Sequence, residues 1–269
     1  MTREEQMANQ RKVVYFASEL AACVGMNRFT EPWQAAVKIL QRMRPSEFSD
    51  AVASLEGTGR YRPEQTAEET EQWLARSGAL DAAKSAVTCQ QAELKESLIA
   101  AIKASGADAN PDMEKSLRKW VYTSRGDRAE TPALDAYESI KGCAIPERNS
   151  RFRLGTFKAA DGSHISIGGK VDGFSATGEL VEVKNRQRKI LQYIPLHERV
   201  QMHAYMFLTG TTECTLVQTC GDDTQSTAVP LDEFLWQNVQ EHLADFNRRL
   251  IELMACPDRQ RRLLSEGIF

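Results

Sequence analysis

No apolar run in the chain approaches the ~20 residues that a membrane-spanning helix needs, so no spanning segment is expected. The opening stretch, MTREEQMANQRK, has no apolar segment of the signal-peptide kind, and the expectation is a protein that is not secreted: cytoplasmic, or nuclear or viral and acting inside a cell. Six cysteines (Cys23, Cys89, Cys143, Cys214, Cys220, Cys256) form no C-x-x-C pair, which argues against both a structural zinc and a disulfide framework. The four histidines, His164, His197, His203 and His242, show no metal-ligand spacing and read as peripheral. Gly168-Gly169-Lys170 lacks the spaced glycine of a phosphate loop, and no Ser or Thr follows Lys170. Nothing resembles a base-reading set of Arg with Asn or Gln aimed into a major groove.

What is present is ordinary in bulk and uneven in detail. Hydrophobic content of 42% and charged content of 26% suit a globular domain, and 269 residues allow one large domain or a domain with an insertion. A net charge of −3 looks wrong for a nucleic-acid binder, but distribution matters more than the sum. Acidic residues dominate 47–81, whereas Lys115, Arg118, Lys119, Arg125 and Arg128 form one basic cluster and Lys184, Arg186, Arg188 and Lys189 another. Flanking a metal site, such clusters fit a phosphate track, since phosphate contacts dominate nucleic-acid affinity.

Between those clusters lies the most informative stretch, residues 165–205. Ile165 to Phe174 reads as a strand, Ala176-Thr177-Gly178 as a turn, and Glu179 to Lys184 as a second strand. Alternation puts Glu182 and Lys184 on one face and sends Val181 and Val183 into the core. Asp172 comes from the neighbouring strand. Two carboxylates beside a lysine suit a divalent cation with a water next to it. On these three residues alone, a plain hairpin with a surface ion pair is an equal reading. Pro195 fits the first turn of a following helix and Gly210 its C-terminal cap. Within it Gln201 and Tyr205 stand at i, i+4 and face the same way.

Elsewhere, Ser18 reads as the N-cap of a short helix ending at Gly25, and Thr30 as the cap of a second with Trp33, Ala36, Val37 and Leu40 as its apolar stripe. Ala51 to Met113 is helical and polar, broken at Gly57–Gly59 and at 106–111. Glu114 to Arg125 reads as a basic helix, and Pro132 as the first turn of another, with Glu130 near its N-terminus. There Glu130 could face the helix dipole or a metal. Arg151 to Phe157 and Cys214 to Thr219 read as further strands. The helix from Asp232 carries Leu235, Trp236, Val239, Leu243, Phe246, Leu250 and Met254 at core spacing.

The pattern D-(x)9-E-V-K at Asp172, Glu182, Val183 and Lys184, followed by Q-x-x-x-Y at Gln201 and Tyr205, resembles the PD-(D/E)XK nuclease superfamily. With Gly126-x-x-x-Glu130 upstream it is most similar to the branch holding the RecB nuclease domain, lambda-phage exonuclease and YqaJ-type viral recombinases. The resemblance covers roughly 15–40 and 124–217. It implies an α/β fold with a restriction-endonuclease-like core, a mixed central sheet flanked by helices, and an inserted helical subdomain. The corresponding division is 1–45 for N-terminal core helices, 46–113 for the insertion and 114–269 for the nuclease core with its C-terminal helix. It implies a Mg²⁺- or Mn²⁺-dependent deoxyribonuclease, an exonuclease acting on ends of linear duplex DNA in recombination, repair or phage DNA processing. Asp172, Glu182, the Val183 carbonyl and Glu130 would hold the metal. Lys184 would handle the attacking water through a lowered pKa, and Gln201 would position phosphate or the lysine. Ser18, Arg125, Arg186, Arg188 and Tyr205 would meet the DNA backbone. The alternatives are a structure-acting endonuclease and an inactive DNA-binding scaffold. Relatives place DNA, a homo-oligomeric ring and a recombinase or single-strand-annealing protein among the partners to expect. Some carry an iron–sulfur cluster on four cysteines; Cys214, Cys220 and Cys256 are too few for one here. Relatives often have a basic residue before the entry-motif serine, where this chain has Val13 to Phe16.

Overall fold

A computed structural model describes residues 13–55, 65–221 and 223–269. The polar opening stretch and the Gly57–Gly59 break both lie outside the described residues. The chain begins with β1 (Val14–Phe16), a four-residue helix α1 (Leu20–Cys23), α2 (Pro32–Met43) and α3 (Pro45–Ala53). Then come α4 (Ala67–Arg76), α5 (Leu80–Thr88), α6 (Leu94–Ser105) and the long α7 (Pro111–Lys141). Four strands follow: β2 (Phe152–Lys158), β3 (His164–Lys170), β4 (Gly173–Phe174) and β5 (Leu180–Asn185). Helix α8 (Leu196–Thr209), β6 (Glu213–Cys220), β7 (Asp223–Pro230), α9 (Glu233–Met254) and α10 (Pro257–Glu266) complete the chain.

The class is mixed α/β, with two mixed sheets where the sequence suggested one. One sheet has the order β1-β3-β2, with β1 parallel and β2 antiparallel to β3. The other runs β4-β5-β6-β7, with β5 and β6 parallel. The expected first strand of the hairpin is interrupted: β3 ends at Lys170, Val171 and Asp172 turn, and β4 resumes on the second sheet. Asp172 therefore sits at the junction of the two sheets. Gly178, at φ 86°, makes the tight turn into β5.

Helix α8 packs on strands of both sheets, while the second half of α7 covers β5, β6 and β7. Strand β5 is thus enclosed on both faces. Val181 and Val183 point to α7, joining Ala133, Leu134, Tyr137, Ile145 and Val217 in one buried cluster. Glu182 and Lys184 point to the α8 side. The main core lies around α1, α2, α8 and α9, with the predicted residues Val239, Leu243, Phe246 and Leu250 buried in it.

Three expectations are corrected. The basic helix and the core helix are one, α7, which runs through Pro132. A proline forfeits one backbone bond and crowds the carbonyl four residues earlier. Pro132 is exposed, however, and packing on either side holds the helix: Leu117 and Val121 in a second cluster with Leu74, Ala83 and Leu98 of α4–α6, and Ala133, Leu134 and Tyr137 in the strand cluster. Glu130 accordingly sits mid-helix, away from any N-terminus. The N-caps of α1 and α2 are Glu19 and Glu31 in place of Ser18 and Thr30, Glu31 forming a reciprocal capping box with Gln34. Ser18 is exposed and makes no cap bond. His203 is fully buried and not peripheral: Nδ1 bonds to the Arg199 carbonyl at 2.7 Å, and Nε2 accepts from Asp232 N–H at 2.9 Å. That pairing fixes the neutral Nδ1–H tautomer.

Candidate active site

Strand alternation and the β3–β4 turn bring Asp172, Glu182 and Lys184 together as the spacing suggested. Asp172 Oδ2 accepts the Val183 N–H at 2.8 Å, locking the turn to β5. Lys184 Nζ donates to Glu182 Oε1 at 2.6 Å and to Gln201 Oε1 at 3.2 Å. Gln201 Nε2 continues the row to Tyr205 Oη at 3.1 Å, one helical turn along α8. Gly169 lets Tyr205 come this close, since a Cβ there would stand 2.9 Å from its ring.

The electrostatics are unusual for a folded interior. Glu182 is 1% exposed, and its second oxygen, Oε2, has no hydrogen-bond partner. Burial, then the neighbouring charge of Asp172, push its carboxyl up to about 8, against the pull of the Lys184 ammonium. Burial alone would lower Lys184, but Glu182 and Asp172 outweigh it and hold the amine above the ordinary lysine value. The lowered lysine pKa expected from sequence is therefore absent while both carboxylates face it uncompensated. Glu130 is raised by burial and by the charge of Asp172, and Asn149 Nδ2 donates to its Oε2 at 3.1 Å. Asn149 links it to the set despite its changed position on the helix, since the Asn149 main-chain N–H meets the Asp172 carbonyl at 3.2 Å.

Asp127 was missed. It lies one turn before Glu130 on α7, and burial and the charge of Asp172 raise its carboxyl too. The i, i+3 spacing of Asp127 and Glu130 was available as a signal, but a helix boundary assumed at Pro132 hid it.

Among the described residues, no three His, Cys, Asp or Glu side chains converge tightly enough to hold a metal ion as they stand. Asp172 is turned onto a backbone N–H and Glu182 onto Lys184. The donor chemistry nevertheless fits a hard divalent cation: oxygen ligands, and a buried carboxylate oxygen without a partner.

Two expected phosphate contacts are otherwise engaged. Arg125 Nη1 donates to the carbonyls of Ala86, Val87 and Cys89 at 2.9, 3.1 and 2.9 Å, capping the end of α5. Arg186 makes a two-pronged pair with buried Glu198 at 2.6 and 2.7 Å and donates Nε to Gln218. Both look free in sequence because the carbonyls and Glu198 that absorb them are supplied by the fold. Arg188, by contrast, is exposed.

No family model matches the chain, and no curated protein matches it. Solved structures do align. A phage-related exonuclease from Haemophilus somnus 129PT is 12% identical, with 93% of this chain and 98% of that one covered, at a TM-score of 0.45. An alkaline exonuclease (LHK-Exo) from Laribacter hongkongensis is 17% identical, with 71% and 97% covered, at 0.41. The protein SSO0001 is 18% identical, with 53% of this chain covered, at 0.37; the chain spans 66% of its length, just under two thirds. All three scores are below 0.5.

Proposed function

We propose that the chain is a metal-dependent deoxyribonuclease with a restriction-endonuclease-like core, digesting linear duplex DNA from its ends during recombination, repair or phage DNA processing. The observation that carries this reading is the bonded row Glu182–Lys184–Gln201–Tyr205 beside Asp172, with a buried, unpaired carboxylate oxygen in its midst.

Asp172 and Glu182 bind Mg²⁺ or Mn²⁺, with Glu130 and the Val183 carbonyl completing the donors and Asp127 at the rim. The bound cation supplies positive charge for the scissile phosphate and the leaving oxygen. Lys184, anchored by Gln201, stands where it can hold the attacking water by one N–H. Its amine is held charged by the two carboxylates, so it would orient the attacking water by donating to it. Gln201 fixes the lysine's direction, and Tyr205 fixes Gln201. Exposed Arg188 and Lys189, just past β5, offer a phosphate contact. Ser18, also exposed, is the candidate for a terminal phosphate.

The test compares linear duplex bearing 5′-phosphate, 5′-hydroxyl and blocked ends with a covalently closed circle, each with Mg²⁺. Release of nucleotides from the linear forms alone is expected. A circle cut as fast would identify a structure-acting endonuclease, and DNA binding without cleavage would identify a scaffold.

A further inference from the structure

Among the described residues only Asn149 combines a side chain with a left-handed backbone, at φ 42°. Asparagine tolerates this region better than most residues, but the conformation persists only where its surroundings fix it. Those surroundings are built on two sides. The Glu147 carbonyl accepts from Phe174 N–H at 2.9 Å, and its carboxylate takes Arg153 Nη2 at 2.8 Å. Arg148 reaches the other way, to Asp135 at 2.6 Å and Glu138 at 2.9 Å on α7. The segment is strapped to β4 and to α7 at once. Seated there, Asn149 shares its main-chain N–H between the carbonyls of Val171 and Asp172, at 3.2 Å each, while its side chain donates to Glu130 Oε2 at 3.1 Å. One residue thus ties the backbone of one candidate ligand to the carboxylate of another.

We infer that Asn149 is a positioning residue, which holds the Glu130 carboxylate toward the Asp172 turn so that a divalent cation has less movement to recruit before it engages both groups. The inference rests on the metal-dependent reading above. Without the amide donor, the like charge of Asp172 would drive the Glu130 side chain toward solvent, and the cation would have to recruit it afresh. Partners that orient metal ligands in this way typically govern 10–100-fold in metal affinity.

The variant that isolates the side chain is Asn149→Gly, which keeps the left-handed backbone without strain. Two readouts are needed: the Mg²⁺ dependence of the unfolding temperature without DNA, and the Mg²⁺ dependence of cleavage. In EDTA the variant should unfold near the parent. Its Mg²⁺ midpoint should rise about tenfold or more by both readouts, with turnover at saturating Mg²⁺ largely kept. On a Glu130→Gln background the same substitution should add less than about twofold, because Asn149 acts through Glu130. Should the glycine variant fail to fold, Asn149→Ala also removes the donor, its backbone strain being common to EDTA and Mg²⁺, and the same rise in midpoint is expected. A parent-like midpoint in these variants, or an undiminished effect on the Glu130→Gln background, would overturn the inference while leaving the nuclease reading intact. A parent with no Mg²⁺ response in either readout would refute that reading and this inference together.

Discussion

In the proposed metal site, the Glu182 carboxyl would tie cation binding to pH. Its pKa of about 8 means that it is about 1% ionised at pH 6 and half ionised at pH 8. A cation can use only the ionised form, so apparent affinity should rise about 50-fold across that interval, worth about 2 kcal/mol. Metal-free protein should show the opposite trend. A carboxyl raised from 4.5 to about 8 by folding contributes stability that is full below pH ~4.5 and lost as pH rises through about 8. The assay is thermal unfolding in EDTA and in 10 mM Mg²⁺, each at pH 6, 7 and 8. The two curves should diverge with pH, the EDTA curve falling and the gap due to Mg²⁺ widening, since ligand stabilises by RT ln(1 + [L]/Kd). Glu182→Gln should flatten the EDTA trend relative to the parent and abolish the widening. A Mg²⁺ shift that is constant from pH 6 to 8, or that survives Glu182→Gln, would refute the reasoning.

Other expectations concern the groups that flank the site. Arg186→Ala leaves Glu198 buried and unpaired, so the protein should lose about 3–5 kcal/mol in chemical unfolding. Arg188→Ala should leave unfolding unchanged and reduce the slope of log K for DNA against log salt by ~0.9; a reversed pattern would return Arg186 to the phosphate track. His203 is buried with both ring nitrogens bonded and its pKa lowered by burial, so its contribution is present above the unfolded value near ~6.5 and lost as pH falls below it. The His203 ring should titrate by NMR at a lower pH than an ordinary histidine, and an ordinary midpoint would contradict the pairing. Gly169→Ala would press on the Tyr205 ring and should cost ~1–3 kcal/mol, with a loss of cleavage beyond what unfolding explains.

Local rules made the chemistry legible before the fold. Period-two alternation placed Glu182 with Lys184, and helical spacing placed Gln201 with Tyr205, both of which the hydrogen bonds reproduce. What sequence concealed depends on distant partners. Pro132 argued locally for a helix start, but two separate apolar clusters hold α7 continuous through it. Arg125 and Arg186 carried the composition of a phosphate track, yet a helix end and a buried glutamate claim them. His203 had no motif spacing, and its partner Asp232 reaches it only when α8 meets the start of α9. Asn149 gave no signal at all, because its role arises from a turn, a strand junction and a helix that are adjacent only in the fold.

The central claim is that Lys184 and Glu182 serve phosphodiester hydrolysis at one metal-dependent site. The direct measurement is single-turnover cleavage of end-labelled linear duplex with saturating Mg²⁺, for the parent, Lys184→Ala and Glu182→Ala, with DNA affinity measured alongside. The parent should release nucleotides only with the metal. Each variant should be slower by ~10²–10⁴ or more while DNA binding is largely kept. Turnover within tenfold of the parent in either variant, or parent cleavage undiminished by EDTA, would contradict the account.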